Sequence, residues 1–277
     1  MTARSFLRKI CGLTARSMTV LKYAEGGITR DGELLRSCDT VRSGDVIELC
    51  LPPDENEITP VAGELDILFE DDYLLIVNKP PHMPVHPTKV HQTDTLANIV
   101  SFYQDRKGER YTFRALNRLD QDTSGCILIA KDRLSYAMTI DSIGKKYLAV
   151  CEGVINNEGV VDAPIGLAPG SKIKRCVSAD GQRAVTYYQP LKSSDSHTLL
   201  ELSLLTGRTH QIRCHMSSID HPLAGDDLYG GSRCLIGRQA LHCGEITFTH
   251  PLSHESIMLR AQLPQDMEVL LNECGII

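Results

Sequence analysis

Ten cysteines are scattered singly along the chain, and no two form a Cys-x-x-Cys pair. That spacing excludes the usual zinc-ribbon and thiol-redox signatures. It suits the reduced thiols of a cytosol better than a disulfide framework, so a cytoplasmic protein is expected. The nearest approach to a metal cluster is Cys234, His242 and Cys243, which lacks a fourth ligand at workable spacing, and no metal is expected. No apolar run reaches the roughly 20 residues of a membrane-spanning helix, so no membrane partner is expected. A GxSxG elbow, a Walker loop and a GxGxxG after a strand are also missing. The run HQIRCH at 210–215 has neither the spacing nor the glutamate of a zinc protease. The first 24 residues contain no acid and are rich in Arg, Ser and Thr, the composition of a transit peptide. They run straight into structured-looking sequence, however, and are taken here as folded.

What remains is ordinary globular material. Its 277 residues, 42% hydrophobic and 23% charged, suffice for one large domain and a small appendage. The net charge of −6 is unevenly spread: eight acids and no Lys or Arg lie between Leu51 and Asp72, interrupted by Pro52, Pro53 and Pro60. This segment reads as an acidic linker, and the chain divides into a small domain at residues 1–52, a linker at 53–62 and a large domain at 63–277. In the first part Phe6, Leu7, Ile10 and Leu13 recur at helical spacing, as do Met18, Leu21 and Ala24, and turn signals follow at Gly26-Gly27, Asp31-Gly32 and Ser43-Gly44-Asp45. In the second part strands dominate, with helices at 93–105, at 133–142, from Thr209 to Ile219 and near the C-terminus. Strands that do not alternate regularly with helices predict an α+β fold on a mixed, largely antiparallel sheet.

Three segments carry polar groups at turn or cap positions. ALNRLDQDTSG at 115–125 sets Arg118 two residues before Asp120, KKYLAV sets Tyr147 on a strand, and residues 204–231 set a glycine turn before a helix bearing His210 and Arg213. Thr209 is the expected N-cap of that helix. Arg213 facing Asp120 would keep the carboxylate ionised and aimed, which makes it a nucleophile or base rather than an acid. Residue types alone leave three alternatives open. Asp120 and Arg118 can form a surface ion pair, Asp120 and Asp122 can form a glycosidase-like pair, and Asp120 can be catalytic.

The three segments together resemble, in order and spacing, the RluA-type family of pseudouridine synthases. NRLDQDTSGCILIAK at 117–131 is similar to the family's HRLDxxTSGxxxxAK, KKYLAVCEG at 145–153 to KxYxAxxxG, and GRTHQIRCH at 207–215 to GRxHQIRxH. HPLAGDDLYGG at 221–231 stands where the family has HPIxGDxxYG, and LFEDDYLLIVNKP resembles the strand leading into its Lys-Pro turn. The small N-terminal part, two helices and a hairpin ending in Gly-Asp, resembles the RNA-binding domain named for a small-subunit ribosomal protein. Arg30 departs there from an apolar preference.

The resemblance implies cofactor-free isomerisation of uridine to pseudouridine in structured RNA, ribosomal RNA more than transfer RNA; it implies no oligomer, and a monomer is the default expectation. Asp120 matches the catalytic aspartate, Arg213 the arginine that pairs with it, and Tyr147 the aromatic that stacks on the target base. Arg118 matches the residue that fills the gap when the base leaves. Asn117 replaces the family histidine and is expected to organise the loop. Arg208, His210, Lys79, Arg8 and Arg16, with Arg118 and Asn117, are the expected RNA or substrate contacts. The alternatives are an inactive RNA-binding protein of the same fold and an N-ribosyl hydrolase.

Overall fold

The structure, a computed structural model, describes residues 1–51 and 57–277. Of the expected linker, residues 53–56 lie outside the described residues. At the N-terminus, α1 (Ala3–Lys9) and α2 (Ala15–Tyr23) each begin on a threonine, Thr2 and Thr14, whose side chain accepts from the backbone N–H three residues on. The helical spacing that ran to Leu13 overshoots. The helix ends at Lys9, Gly12 turns the chain at φ +69°, and Leu13 is buried from beyond that turn. β1 (Ile28–Arg30), β2 (Glu33–Leu34) and β3 (Ile47–Leu49) form an antiparallel sheet in the order β2-β1-β3. Ala3, Leu7, Leu21 and Ile28 share one core, so the stretch with transit-peptide composition is packed structure. Arg30 is satisfied by Asp45 at 3.1 Å and by the Thr40 carbonyl at 3.0 Å.

The larger body contains β4 (Ile67–Glu70), β5 (Leu74–Lys79), α3 (Leu96–Lys107), β6 (Arg114–Ala115), β7 (Ser124–Ala130) and α4 (Arg133–Thr139). It continues with β8 (Gly144–Glu152), β9 (Gly159–Asp162), β10 (Ile165–Leu167), β11 (Arg175–Val177), β12 (Val185–Ser193) and β13 (His197–Leu204). It closes with α5 (Gln211–Ser218), β14 (Leu241–Thr249), β15 (Ser256–Arg260) and α6 (Gln265–Glu273). One sheet runs β4-β5-β7-β14-β8-β13-β12-β9, with β6 on β7 and β15 on β14, while β10 and β11 form a separate hairpin. Its pairings are antiparallel except β7 with β14, which is the mixed, mostly antiparallel arrangement that strand-rich patterning predicts.

Strands β5 and β7 lie between two apolar layers. Leu74, Ile76, Leu128 and Ala130 point into one, and Leu75, Val77, Ile127 and Ile129 into the other. Gly125 allows the parallel pairing. At φ +113°, an added Cβ there would fall 2.3 Å from the Cys243 carbonyl oxygen, so only glycine lets β14 approach. The helix expected at 93–105 starts at Leu96, because Thr95 and Asn98 make a capping box, and stops where Gly108 turns left-handed. Residues just before β4 are tied to it: Asn98 Nδ2 donates to the Thr59 carbonyl and Ser101 Oγ to that of Ile58. Among the described residues no helix is long and apolar enough to cross a membrane, and no three metal-ligating side chains gather at one point.

Lys131, the last residue of the first catalytic-type motif, is structural. It donates to Glu70 at 2.9 Å and Glu109 at 3.0 Å, and Glu70 also accepts from Tyr103 at 2.6 Å and Lys107 at 2.8 Å. Burial opposes the charge on Glu70, but the bonds from Lys107, Tyr103 and Lys131 outweigh it and bring its pKa down to about 2. The folded value lies below the ordinary 4.5, so this stabilisation is complete above pH 4.5 and drains away as pH falls toward 2. Glu70→Gln should therefore cost about 2 kcal/mol at pH 7 and much less at pH 3. Urea unfolding at both pH values measures this, and an equal loss at each would contradict it.

Candidate active site

Asp120 lies on the loop between β6 and β7, and that loop is fixed almost entirely through its main chain. Past the β6–β7 ladder the Asn117 carboxamide substitutes for a backbone rung: Nδ2 donates to the Cys126 carbonyl and Oδ1 accepts from Leu128 N–H, both at 2.8 Å. Lys79 Nζ donates to the carbonyls of Pro80, Met83 and Gln121 at 2.7, 2.8 and 3.0 Å. Arg238 Nη1 donates to the Asp122 carbonyl at 2.9 Å while its other nitrogens grip Asp266.

Two sequence expectations are corrected here. Lys79 and Asn117 are not RNA contacts, because they are 0% and 3% exposed and their polar atoms are spent on backbone. Lys79 ends a strand buried on both faces, where only carbonyls are available to an ammonium. Burial pulls its pKa down to about 7 against the charge of Asp122, and three carbonyls match its three N–H donors.

Arg213 comes from the third segment, in the first turn of α5. That helix begins at Gln211 rather than Thr209. His210 holds the N-cap position in the left-handed region, at φ 55°, without a capping side-chain bond. Gln211 does the anchoring instead. Its Oε1 accepts from Thr206 Oγ1 and Arg208 N–H, and its Nε2 donates to the Val185 carbonyl. His215 bonds Thr186 Oγ1 and the Ala163 carbonyl, so the polar residues of GRTHQIRCH mostly seat α5 on β12.

The guanidinium thus placed touches two carboxylates. Nε and Nη2 meet Asp226 at 2.6 and 2.8 Å, and Nη1 meets Asp120 Oδ2 at 3.2 Å. Asp120 Oδ1 has no partner among the described residues. Burial works against the Arg213 charge, yet Asp226 and Asp120 more than offset it, so the arginine stays a cation. Tyr229 backs the group with its ring centroid 5.0 Å from Arg213 Cζ, and its hydroxyl bonds His210 Nδ1 at 3.1 Å. His210 Nε2 is 3.8 Å from Asp120 Oδ2, and burial, aided by Arg213, lowers its pKa. A neutral imidazole leaves Arg213 as the ionic partner of Asp120.

Tyr147, in mid-β8 opposite Leu202, completes the cleft, which is lined by Arg118, Asp120, Arg208, His210, Arg213 and the apolar Leu204, Ile212 and Leu241. Burial, then the neighbouring Cys243 and Asp120, raise the tyrosine pKa well above the usual phenol value. The phenol is held neutral, with its ring against the cleft. Asp122 turns away: its carboxylate meets His82 Nδ1 at 2.8 Å and does not line the cleft, so the two aspartates do not converge. Arg8 and Arg16 also lie elsewhere. Arg8 lines a groove of the small N-terminal unit with Arg4 and Lys22, and Arg16 lines a cavity of about 530 Å³ with His86 and Arg133. Of the three cluster candidates Cys234 is exposed, while the adjacent His242 and Cys243 are buried in β14, with His242 bonded to Ser124.

A family model for RNA pseudouridylate synthase matches residues 73–218. Over 279 residues the chain is 39% identical to the uncharacterized RNA pseudouridine synthase YjbO of Bacillus subtilis, covering 98% of each. This chain belongs to the RluA-type RNA pseudouridine synthase family. The synthase is also 34% identical to ribosomal large subunit pseudouridine synthase D of Xanthomonas campestris pv. campestris, over 89% of this chain and 81% of that one. Among solved structures, human RNA pseudouridylate synthase domain containing 4 aligns with a TM-score of 0.61 at 28% identity, covering 76% of this chain and 92% of that one.

Sequence reasoning missed Asp226 and Arg238 as supports of the site. Asp226 stands at the fixed acid of the HPIxGDxxYG pattern, which was the signal available for it, whereas Arg238 is one charged residue outside any motif. Removing the bidentate partner leaves a buried guanidinium half-paired. Asp226→Asn should cost the synthase about 3 kcal/mol and lower turnover about 100-fold by letting Arg213 drift. Lys79→Met should orphan three carbonyls and cost a similar amount. Urea unfolding and single-turnover rates test both; wild-type stability with wild-type rates would refute the support roles.

Proposed function

We propose that the synthase converts a uridine of structured RNA, ribosomal rather than transfer RNA, to pseudouridine, with Asp120 as the reacting carboxylate. The observation that carries this reading is the 3.2 Å contact from Arg213 to Asp120 Oδ2, which leaves Oδ1 for the substrate. The preference for ribosomal RNA rests on relatives such as ribosomal large subunit pseudouridine synthase D.

The reaction breaks the bond from uracil N1 to ribose C1′, turns the base and joins C5 to C1′; the C5 proton leaves to water and the freed N1 takes a proton up, so substrate and product are isomers. The target base must first be swung out of its stack, at a cost of a few kcal/mol, least in a loop. Tyr147 then offers a rigid face for stacking, worth about 1–3 kcal/mol per base. Arg118, exposed beside Asp120, is placed to fill the space the base vacates, and Arg208 and His210 to hold the nucleotide's polar edge. An anionic oxygen fixed in direction can add to C1′, add to the ring or take a ribose proton, and each route needs the same group.

RNA labelled with tritium at uracil C5 tests the proposal. The synthase should release label to water with the chain intact, whereas a hydrolase would free uracil and a pure binder would do neither. Asp120→Asn should cut release more than about 10³-fold while unfolding at the wild-type temperature. Release at an undiminished rate would remove Asp120 from the mechanism.

A further inference from the structure

Beside the catalytic cleft lies a second cavity, of about 460 Å³, that neither the motifs nor the site above account for. Its walls are Arg118 and Arg208, which it shares with the cleft, the β10–β11 hairpin with Arg175, and the Gly207 turn. Three arginines line one cavity whose single acid is the exposed Asp180, and of their nitrogens Arg208 Nε donates to the Arg183 carbonyl at 3.1 Å. The most telling atom is Arg175 Nε, which is buried with no hydrogen-bond partner among the described residues. A buried charged donor left unmade is costly, so Arg175 gains by turning that nitrogen onto an acceptor brought into the cavity. The position of Arg175 is not accidental, because its backbone N–H donates to Tyr229 Oη at 2.9 Å, the ring that backs Arg213. The cationic cavity and the Asp120 centre are therefore held by one residue.

We propose that this cavity binds a backbone phosphodiester flanking the target uridine, with Arg175 as its anchoring residue. The inference rests on the RNA reading above and adds a specific subsite to it. A phosphodiester is the chemistry that fits. Its two free oxygens accept parallel N–H bonds from a planar guanidinium, and three arginines at a neutral or anionic base edge would have no such match. Sharing Arg118 and Arg208 with the cleft places the phosphate next to the flipped nucleotide, so the contact sets register and reads no sequence.

The probe is a set of five-residue oligoribonucleotides with a central uridine, carrying a neutral methylphosphonate on the 5′ side, on the 3′ side or nowhere. Binding is read by fluorescence anisotropy on the Asp120→Asn protein, so that no turnover intervenes. One of the two neutral linkages should weaken binding about tenfold. Arg175→Gln should weaken the unmodified strand by a similar factor, and the neutral linkage should then cost it nothing further. Arg175→Gln should also shallow the salt dependence by about 0.7 in log–log slope, while Arg175→Lys keeps the slope and loses affinity. Losses that add, or no loss in either variant, would overturn the subsite. Tritium release by the otherwise native protein reports separately on the isomerase reading: release with additive losses would sink only the subsite, and coupling without release only the isomerase.

Discussion

A single guanidinium shared by two carboxylates is the constraint on which this site depends. Arg213 gives its bidentate edge to the fully buried Asp226 and its remaining nitrogen to Asp120. The division of labour is physical. The better-buried pair neutralises the cation and fixes its plane, and the weaker, longer contact aims the reacting group without monopolising it. Were Asp120 itself the bidentate partner, both of its oxygens would be occupied.

The same logic recurs through the loop that carries Asp120. Lys79 and Arg238, each almost wholly removed from solvent, spend their charge on the carbonyls of Gln121 and Asp122, and the Asn117 amide replaces a strand rung. Burying cations to hold backbone dipoles is expensive unless every donor is matched, and here the donors are matched by carbonyls and by Asp266. Asn117 in place of the family histidine fits this scheme, since one planar amide supplies the donor and the acceptor that two facing backbone groups need.

RNA affinity in an acidic chain is a matter of placement. The acids concentrate before β5, while Arg118, Arg175 and Arg208 meet at one opening beside the cleft. A polyanion responds to that local field, which reaches about one Debye length, and not to the total of −6.

Local chemistry was legible in the sequence by itself. Strand-rich patterning, apolar residues at helical spacing, turn signals and the three motif segments predicted the α+β class, most helices and the trio of Asp120, Tyr147 and Arg213, which line one cleft. Tertiary structure alone decided which charged residues do something other than face RNA. Lys79 looks like a binding residue in one dimension and is scaffolding in three, whereas Arg238 and Arg175 look unremarkable and hold the site or line the cavity beside it. The reason is that pairing and burial depend on the order of strands. Asp120 and Arg213, 93 residues apart, meet because β7 lies parallel to β14 at the Gly125 contact and α5 is seated on β12. No periodicity within a segment encodes that approach.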